Sequence, residues 1–120
     1  MLTPLTYILY RYVYETDPAS GDTLYVDVNG NENCIIINPV GGPIASLNVQ
    51  FPDDGHSILG QHCEMWTSQT ITSMTWNGFA IVGGVSTPIQ VDNGPNTLLA
   101  NTACQFIKVG PLHWVCTSNQ

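Results

Sequence analysis

The chain has 120 residues, and only 9% of them carry a charged side chain, so most of its surface must be solvated by Thr, Ser, Asn and Gln. This length suffices for one domain with its own core, without metals or disulfides. Nine acidic residues stand against two basic ones, Arg11 and Lys108, giving a formal net charge of −7. Two cations cannot supply a footprint for phosphates, which argues against a nucleic-acid partner and against an anionic membrane surface.

The N-terminal segment is rich in tyrosine and opens without a basic stretch or a small-residue cleavage site. No signal peptide is therefore predicted, and synthesis in the cytoplasm is expected. In a strand, Tyr10, Tyr12 and Tyr14 would share one face, suited to interior packing, to a subunit contact or to stacking on a sugar. We interpret residues 1–21 as a Tyr-rich strand and linker, and residues 22–120 as the main domain.

Short runs of β-branched and aromatic residues recur about every ten residues between clusters of Gly, Pro, Asn and Asp. No apolar run approaches the ~18 residues that a membrane-spanning helix needs. The spacing predicts an all-β fold, an antiparallel β-sandwich or jelly roll. The predicted strands are Leu5–Tyr14, Thr23–Val28, Cys34–Asn38, Ala45–Phe51, His62–Thr67, Ser73–Asn77, Gly78–Val82, Pro88–Val91, Thr97–Lys108 and Leu112–Thr117.

Asn77-Gly78, between two apolar runs, is the strongest hairpin signal in the sequence. A type I′ turn wants positive φ at both central residues, and Asn-Gly is the preferred pair. The sequence therefore predicts a tight hairpin there, with Gly83-Gly84 as another turn.

The four cysteines are Cys34, Cys63, Cys104 and Cys116. Without a signal peptide they are expected to be buried thiols rather than a disulfide framework. If the last hairpin is symmetric about Gly110, Cys104 lies directly opposite Cys116, whereas a two-residue loop would remove that pairing. We predict contact between these two thiols in the reduced state.

No residue set in the sequence has the spacing of a catalytic or metal site. Gly55-His56-Ser57 lacks the spacing of a nucleophile elbow and is typical of a turn. Neither Cys-x-x-Cys nor His-x-His occurs, and the acidic residues are scattered through turns. We predict no catalytic residue, no metal and no cofactor. The nearest candidates are His62, Glu64, His113 and Cys116 for a metal site, and Asp53, Asp54, Glu64 and Asp92 for glycoside hydrolysis.

Tryptophan offers the other candidates for binding. Trp76 alternates with core positions, so we expect it to be buried, whereas Trp66 and Trp114 are equally suited to a core or to a ligand surface. The candidate binding residues are Trp66, Trp114, Tyr10, Tyr12 and Tyr14.

From about Asp22 onward, several segments follow an order that resembles the C-terminal knob domains of bacteriophage tail fibres and spikes. A strand ends in Phe51-Pro52 before an Asp-Gly turn, a Thr-rich strand follows, and a final hairpin ends on an aromatic residue. The segments are Ile44–Gly55, Ser68–Trp76, Ile81–Gly84, Thr97–Ile107 and His113–Val115. The resemblance implies a non-enzymatic, homotrimeric knob on a virion fibre, spike or vertex, which contacts other virion proteins and binds a host glycan or protein receptor.

Two other functions remain open at this point. A carbohydrate-active β-sandwich enzyme or carbohydrate-binding module would use the exposed tryptophan rings to stack on sugars. A virion cement or assembly protein would have the same composition and no receptor.

Overall fold

The structure, a computed structural model, describes residues 12–28 and 32–119, which form eleven β-strands and one 3-10 turn at Asp54–His56. The all-β prediction is confirmed. In the described part of the chain there is no helix long and apolar enough to cross a membrane. The strands are β1 (Tyr12–Thr16), β2 (Thr23–Tyr25), β3 (Glu32–Ile37), β4 (Ile44–Gln50), β5 (His62–Thr67), β6 (Ile71–Asn77), β7 (Phe79–Val82), β8 (Val85–Pro88), β9 (Gln90–Asp92), β10 (Thr102–Gly110) and β11 (His113–Asn119).

The first six strands form a parallel, solenoid-like coil. β1, β3 and β5 pair in parallel in one sheet, and β2, β4 and β6 pair in parallel in a second. The chain passes from one sheet to the other at each connection, so each strand pairs with the next but one in sequence. In the first sheet, Ile35 lies beside Tyr14 and Met65, and in the second, Val49 lies beside Leu24 and Trp76.

The C-terminal strands extend the first sheet with mixed polarity. β10 pairs antiparallel with β5, β11 pairs antiparallel with β10, and β9 pairs parallel with β11. This sheet therefore runs in the order β1-β3-β5-β10-β11-β9. The strands thus form mixed sheets rather than the antiparallel sandwich or jelly roll expected, because six successive segments alternate between sheets instead of turning back on their neighbours.

One hydrophobic core takes side chains from both sheets. Within it, the ring centroid of Phe51 lies 5.0 Å from the ring centroid of Phe106 and 5.0 Å from that of Trp114. The ring centroids of Trp76 and Phe106 are 4.8 Å apart. Trp76 also donates from Nε1 to the carbonyl of Pro95 at 2.8 Å, which satisfies its polar edge. Trp76 is partly buried and packs against this core, so the expected packing role holds while the expected full burial does not. Other buried members of this core are Ile35, Ile37, Leu47, Val49, Met65, Ile71 and Leu98.

The tight hairpin lies at Gly83-Gly84 and not at Asn77-Gly78. β6 ends at Asn77 and pairs with β4, whereas β7 pairs with β8. Gly83 and Gly84 have φ of 59° and 80°, as a type I′ turn needs, and Gly78 is not among the residues with positive φ. Gly78 is instead required by close packing: a Cβ there would lie 2.7 Å from the carbonyl oxygen of Phe51.

The described part of the Tyr-rich segment belongs to the main fold. β1 is a strand of the first sheet, and Gly21 donates its N–H to the carbonyl of Ser46 at 2.9 Å. Ser20 Oγ accepts from the N–H groups of Ala45 and Ser46. The described residues before position 22 are therefore hydrogen-bonded to strands of both sheets.

The four cysteines are buried free thiols. Cys104 and Cys116 are in contact through a hydrogen bond between their thiols, as expected. They are not directly opposite each other, because irregularities in the ladder pair Cys116 with Phe106 and Cys104 with Asn119. The register expected from a symmetric loop is therefore wrong.

Candidate functional site

The structure places four of the five aromatic residues nominated from the sequence, in three different settings. Tyr10 lies outside the described residues. Trp114 is fully buried, so its ring is not available to a ligand at the surface and the nomination is corrected. Trp66 is 43% exposed. Tyr12 and Tyr14 are partly buried on β1.

Tyr12 and Tyr14 are tied to Asp27, in the segment that follows β2. Tyr12 Oη donates to Asp27 Oδ2 at 3.0 Å, and the N–H of Asp27 donates to Tyr14 Oη at 3.1 Å. The bond to Asp27 raises the pKa of Tyr12, and burial raises the pKa of Tyr14 to about 12. Both phenols therefore stay protonated at neutral pH. Their rings are 5.3 Å apart, and their hydroxyls serve the contact between β1 and the chain after β2.

Trp66 is presented on the outer face of the first sheet. Its neighbours along β5, Met65 and Thr67, are buried, so the alternation of a strand turns Trp66 outward. In the ladder it lies between Ile36 of β3 and Ala103 of β10. A sheet with paired strands on both sides of β5 holds the indole on a rigid backbone.

Polar residues lie beside Trp66 on the first sheet. Two residues before Trp66 on the same face is Glu64, which lies beside Gln105 of β10 and Cys34 of β3. Together these strands and the start of β10 form an open groove of about 400 Å³, which we call the Trp66 groove. It is lined by Glu64, Trp66, Asn101, Thr102, Ala103, Cys104 and Gln105.

The end wall of the Trp66 groove is a hydrogen-bonded turn. Asn101 has a φ of 63°, and its N–H donates to the carbonyl of Thr67 at 2.8 Å. Thr102 Oγ1 donates to the carbonyl of Leu99 at 2.6 Å, and the N–H of Ala100 donates to Thr70 Oγ1 at 3.1 Å. Asparagine tolerates left-handed backbone, so this turn is formed without a glycine. The wall is therefore fixed before any ligand binds.

The groove contains one carboxylate, amide and hydroxyl groups, an indole face, and no lysine or arginine. An aromatic face with polar groups beside it suits a ligand that has both an apolar face and hydroxyls, and a carboxylate beside an indole also suits a cationic group. An anionic ligand would find no positive partner among the lining residues. The lining residues therefore favour a neutral or cationic ligand over an anionic one.

The sequence nominated Trp66 but missed its partners Glu64, Asn101 and Gln105. Period-two alternation places Glu64 on the face of Trp66, and that signal was available. Asn101 and Gln105 come together with them only through the register between β5 and β10, which no local pattern specifies.

A second polar cluster joins Lys108, Asp54 and Ser57. Lys108 is buried, and its Nζ donates to Asp54 Oδ1 at 2.6 Å and to Ser57 Oγ at 2.8 Å. Ser57 Oγ in turn donates to the carbonyl of Asp53 at 2.7 Å. A serine nucleophile must give its proton to a base, but here the ammonium is a donor to Ser57 and is ion-paired with Asp54. The cluster fastens the 3-10 turn to β10.

Two histidine–carboxylate pairs lie at the surface. His56 Nδ1 lies 2.6 Å from Asp53 Oδ1, and His113 Nε2 lies 2.8 Å from Asp92 Oδ2. Among residues 12–28 and 32–119, no three His, Cys, Asp or Glu side chains are grouped so that they could hold a metal ion. The acids weighed for glycoside hydrolysis are dispersed: Asp54 is bound to Lys108, Asp92 to His113, and Glu64 lies in the Trp66 groove.

Comparison with protein-family models, curated proteins and solved structures gives no match for this chain.

Proposed function

We propose that this chain is a non-enzymatic attachment domain on a virion surface, which binds a host-cell glycan or protein receptor through the Trp66 groove. The observation that carries the proposal is a large, partly exposed indole held on a rigid sheet beside a carboxylate and amides. The order of sequence segments that resembles tail-fibre and spike knobs supplies the virion setting. The same resemblance supplies a homotrimer and contacts with other virion proteins as part of the proposal.

A glycan receptor fits the groove better than a peptide anchored by acidic side chains. The described surface has no exposed Lys or Arg to pair with such residues, because Lys108 is buried. A sugar ring offers C–H groups to the indole and hydroxyls to Glu64 and Gln105. Weak single-site binding of this kind is strengthened when several copies bind together.

The test is a competition experiment with a matched pair of variants. Purified domain is added to host cells, and virion adsorption is measured with wild type, Trp66→Ala and Tyr25→Ala. Tyr25 is an exposed aromatic residue on β2, in the other sheet, and serves as the control. Wild type and Tyr25→Ala should block adsorption, and Trp66→Ala should lose the block while keeping the wild-type circular dichroism spectrum. Equal blocking by Trp66→Ala would refute the role of this groove.

A carbohydrate-binding module outside any virion is the second candidate, since the pairing of Trp66 with Glu64 favours a sugar in either setting. Glycan-array binding that depends on Trp66, without any effect on virion adsorption, would support this alternative. Release of reducing sugar by wild type but not by Glu64→Gln would instead indicate a glycoside hydrolase and contradict the proposed lack of enzymatic activity.

A further inference from the structure

β7 and β8 form a small arm that is separate from the two main sheets. Of the strands in residues 12–28 and 32–119, they pair only with each other, with Phe79 opposite Pro88, Ile81 opposite Ser86 and Val82 opposite Val85. The base of this β7–β8 arm is fixed to the domain: Ile89 is buried and donates its N–H to the carbonyl of Gly78 at 2.9 Å. The arm is thus anchored at its base, not a loose loop.

The arm exposes apolar side chains over most of its length. Phe79 is 56% exposed and Ile81 is 71% exposed, and the register puts both on one face with Pro88. Val82 and Val85, at the tip, are also exposed. Contiguous apolar surface of this kind usually marks a site of interaction, whereas single exposed apolar residues do not.

The arm also carries no charged side chain. From residue 77 to residue 91 the sequence has no Asp, Glu, Lys, Arg or His. Elsewhere the described surface carries acidic side chains without exposed Lys or Arg, so two copies with a net charge of −7 each repel one another. Contact through the arms brings no charged side chains of the arms together.

The edges of the arm favour a protein partner over a lipid partner. Among the described residues each strand has one paired neighbour, so the N–H and C=O groups on the outer edges of β7 and β8 have no strand partner there. A strand from another chain satisfies these groups, whereas the hydrocarbon of a bilayer leaves them unsatisfied at a cost of several kcal/mol each. Anionic lipid is disfavoured further by the net charge.

We propose that the β7–β8 arm is the surface through which copies of this chain associate, with the β7 edge of one copy pairing antiparallel to the β8 edge of the next. Such a contact is head-to-tail, and it closes into a ring when the rotation between copies allows. Phe79 and Ile81 then face the same residues of the other copies inside the ring. This inference does not depend on the ligand of the Trp66 groove; the proposed homotrimer supplies only the expected number of copies.

The experiment compares two lysine substitutions at equally exposed aliphatic residues. Ile81 on the arm and Leu59 in the connection between β4 and β5 are each 71% exposed. Ile81→Lys and Leu59→Lys both make the net charge less negative by one, so a difference between them cannot arise from overall repulsion. Light scattering coupled to size exclusion should give three times the 13.0 kDa chain mass for wild type and Leu59→Lys, and 13.0 kDa for Ile81→Lys.

Hydrogen exchange on the same proteins adds a second readout. Amides of β7 and β8 should become more protected as the concentration of wild-type protein rises, and not in Ile81→Lys.

Wild type that stays at 13.0 kDa, or Ile81→Lys that assembles like wild type, would overturn the proposal. Sedimentation of monomeric protein with phosphatidylcholine vesicles, lost in Ile81→Lys, would assign the arm to lipid instead. Attachment is tested by the effect of Trp66→Ala on virion adsorption, and assembly by the mass of Ile81→Lys. Failure of one proposal is therefore distinguishable from failure of the other.

Discussion

Lys108 is the one lysine or arginine within the described residues, and it is buried rather than exposed. Its partner Asp54 has a side chain that is nearly half exposed, and Asp54 Oδ1 also accepts from the N–H of Leu112 at 3.0 Å. A single carboxylate oxygen thereby joins the 3-10 turn, β10 and the last hairpin. The two partners differ in burial, so their removal should have unequal effects.

We expect Asp54→Ala to destabilise the domain by about 3–5 kcal/mol, because it leaves the Lys108 ammonium buried without a counter-ion. Lys108→Met keeps the apolar stem and leaves Asp54 to water, so its cost should be below about 1.5 kcal/mol. Urea unfolding of both single variants and of the double variant measures the difference. Equal losses from the two single changes would contradict the asymmetry.

Asp54 also predicts a pH dependence of stability. The hydrogen bond from Lys108, followed by the bond from Leu112, holds the pKa of Asp54 below its ordinary value of 3.8. A depressed carboxyl pKa contributes stability that is fully present above the unfolded-state value and is lost as the pH falls through the folded-state value. The difference in unfolding free energy between wild type and Asp54→Asn should therefore be constant from about pH 7 to 5 and shrink below about pH 4. A difference that grows on acidification would contradict this assignment.

The thiols should be unreactive while the domain is folded. Burial raises the pKa of Cys34 and of Cys63, and the hydrogen bond with Cys116 raises that of Cys104. The thiolate is the reactive form, so a colorimetric disulfide reagent at mildly alkaline pH should titrate four thiols only after denaturant is added. Rapid reaction of the native protein would show that a thiol is accessible. A Cys104–Cys116 bridge in the unreduced protein, seen by mass spectrometry, would refute the reduced pair.

Among the elements, the two candidate turns show what a local pattern can and cannot specify. Asn77-Gly78 has the composition of a type I′ turn, but its glycine is needed for close approach to Phe51. Gly83-Gly84 provides the turn. An Asn-Gly pair indicates that a side chain is not tolerated at the glycine. Only the packing around that glycine shows whether the reason is a positive φ or a steric clash.

Substitutions at the two sites should separate these causes. Gly78→Ala should cost about 1–3 kcal/mol, because the added methyl group lies 2.7 Å from the Phe51 carbonyl and 2.9 Å from Ile89 Cδ1. Gly83→Asn should be neutral within about 0.5 kcal/mol, since nothing lies near it and Asn is favoured in a type I′ turn. Urea midpoints provide the measurement, and the reverse order of effects would restore the hairpin to Asn77-Gly78.

Strand positions were largely predictable from the sequence, and strand pairing was not. β4, β5 and β11 fall close to the predicted runs, because alternation and turn residues are local signals. The choice between pairing with the next strand and with the next but one depends on whether each connection turns back or crosses to the second sheet. Whether a connection crosses depends on the core packed between the two sheets, to which Leu47, Val49 and Ile35 contribute together.

At the scale of the whole molecule, the composition specifies the net charge, and the structure shows where the charged side chains lie. From the sequence alone, the row of Tyr10, Tyr12 and Tyr14 is suited to interior packing, to a subunit contact or to stacking on a sugar. Tyr12 and Tyr14 are tied to Asp27 within the chain. Within the described residues, the β7–β8 arm exposes the apolar side chains of Phe79, Ile81, Val82 and Val85.

The placement of charge predicts how assembly responds to salt. Copies with a net charge of −7 repel one another at long range, while the contact proposed at the arm is apolar and hydrogen-bonded. Raising the salt concentration from about 0.01 M to about 0.1 M shortens the screening length from about 30 Å to about 10 Å, which weakens the repulsion and leaves the contact itself intact. The dissociation constant measured by sedimentation velocity in sodium chloride should therefore fall over this range, and Leu59→Lys should show the same trend from a tighter starting value because its net charge is smaller. A dissociation constant that rises with salt would show that ion pairs hold the copies together, and would remove the arm from the interface.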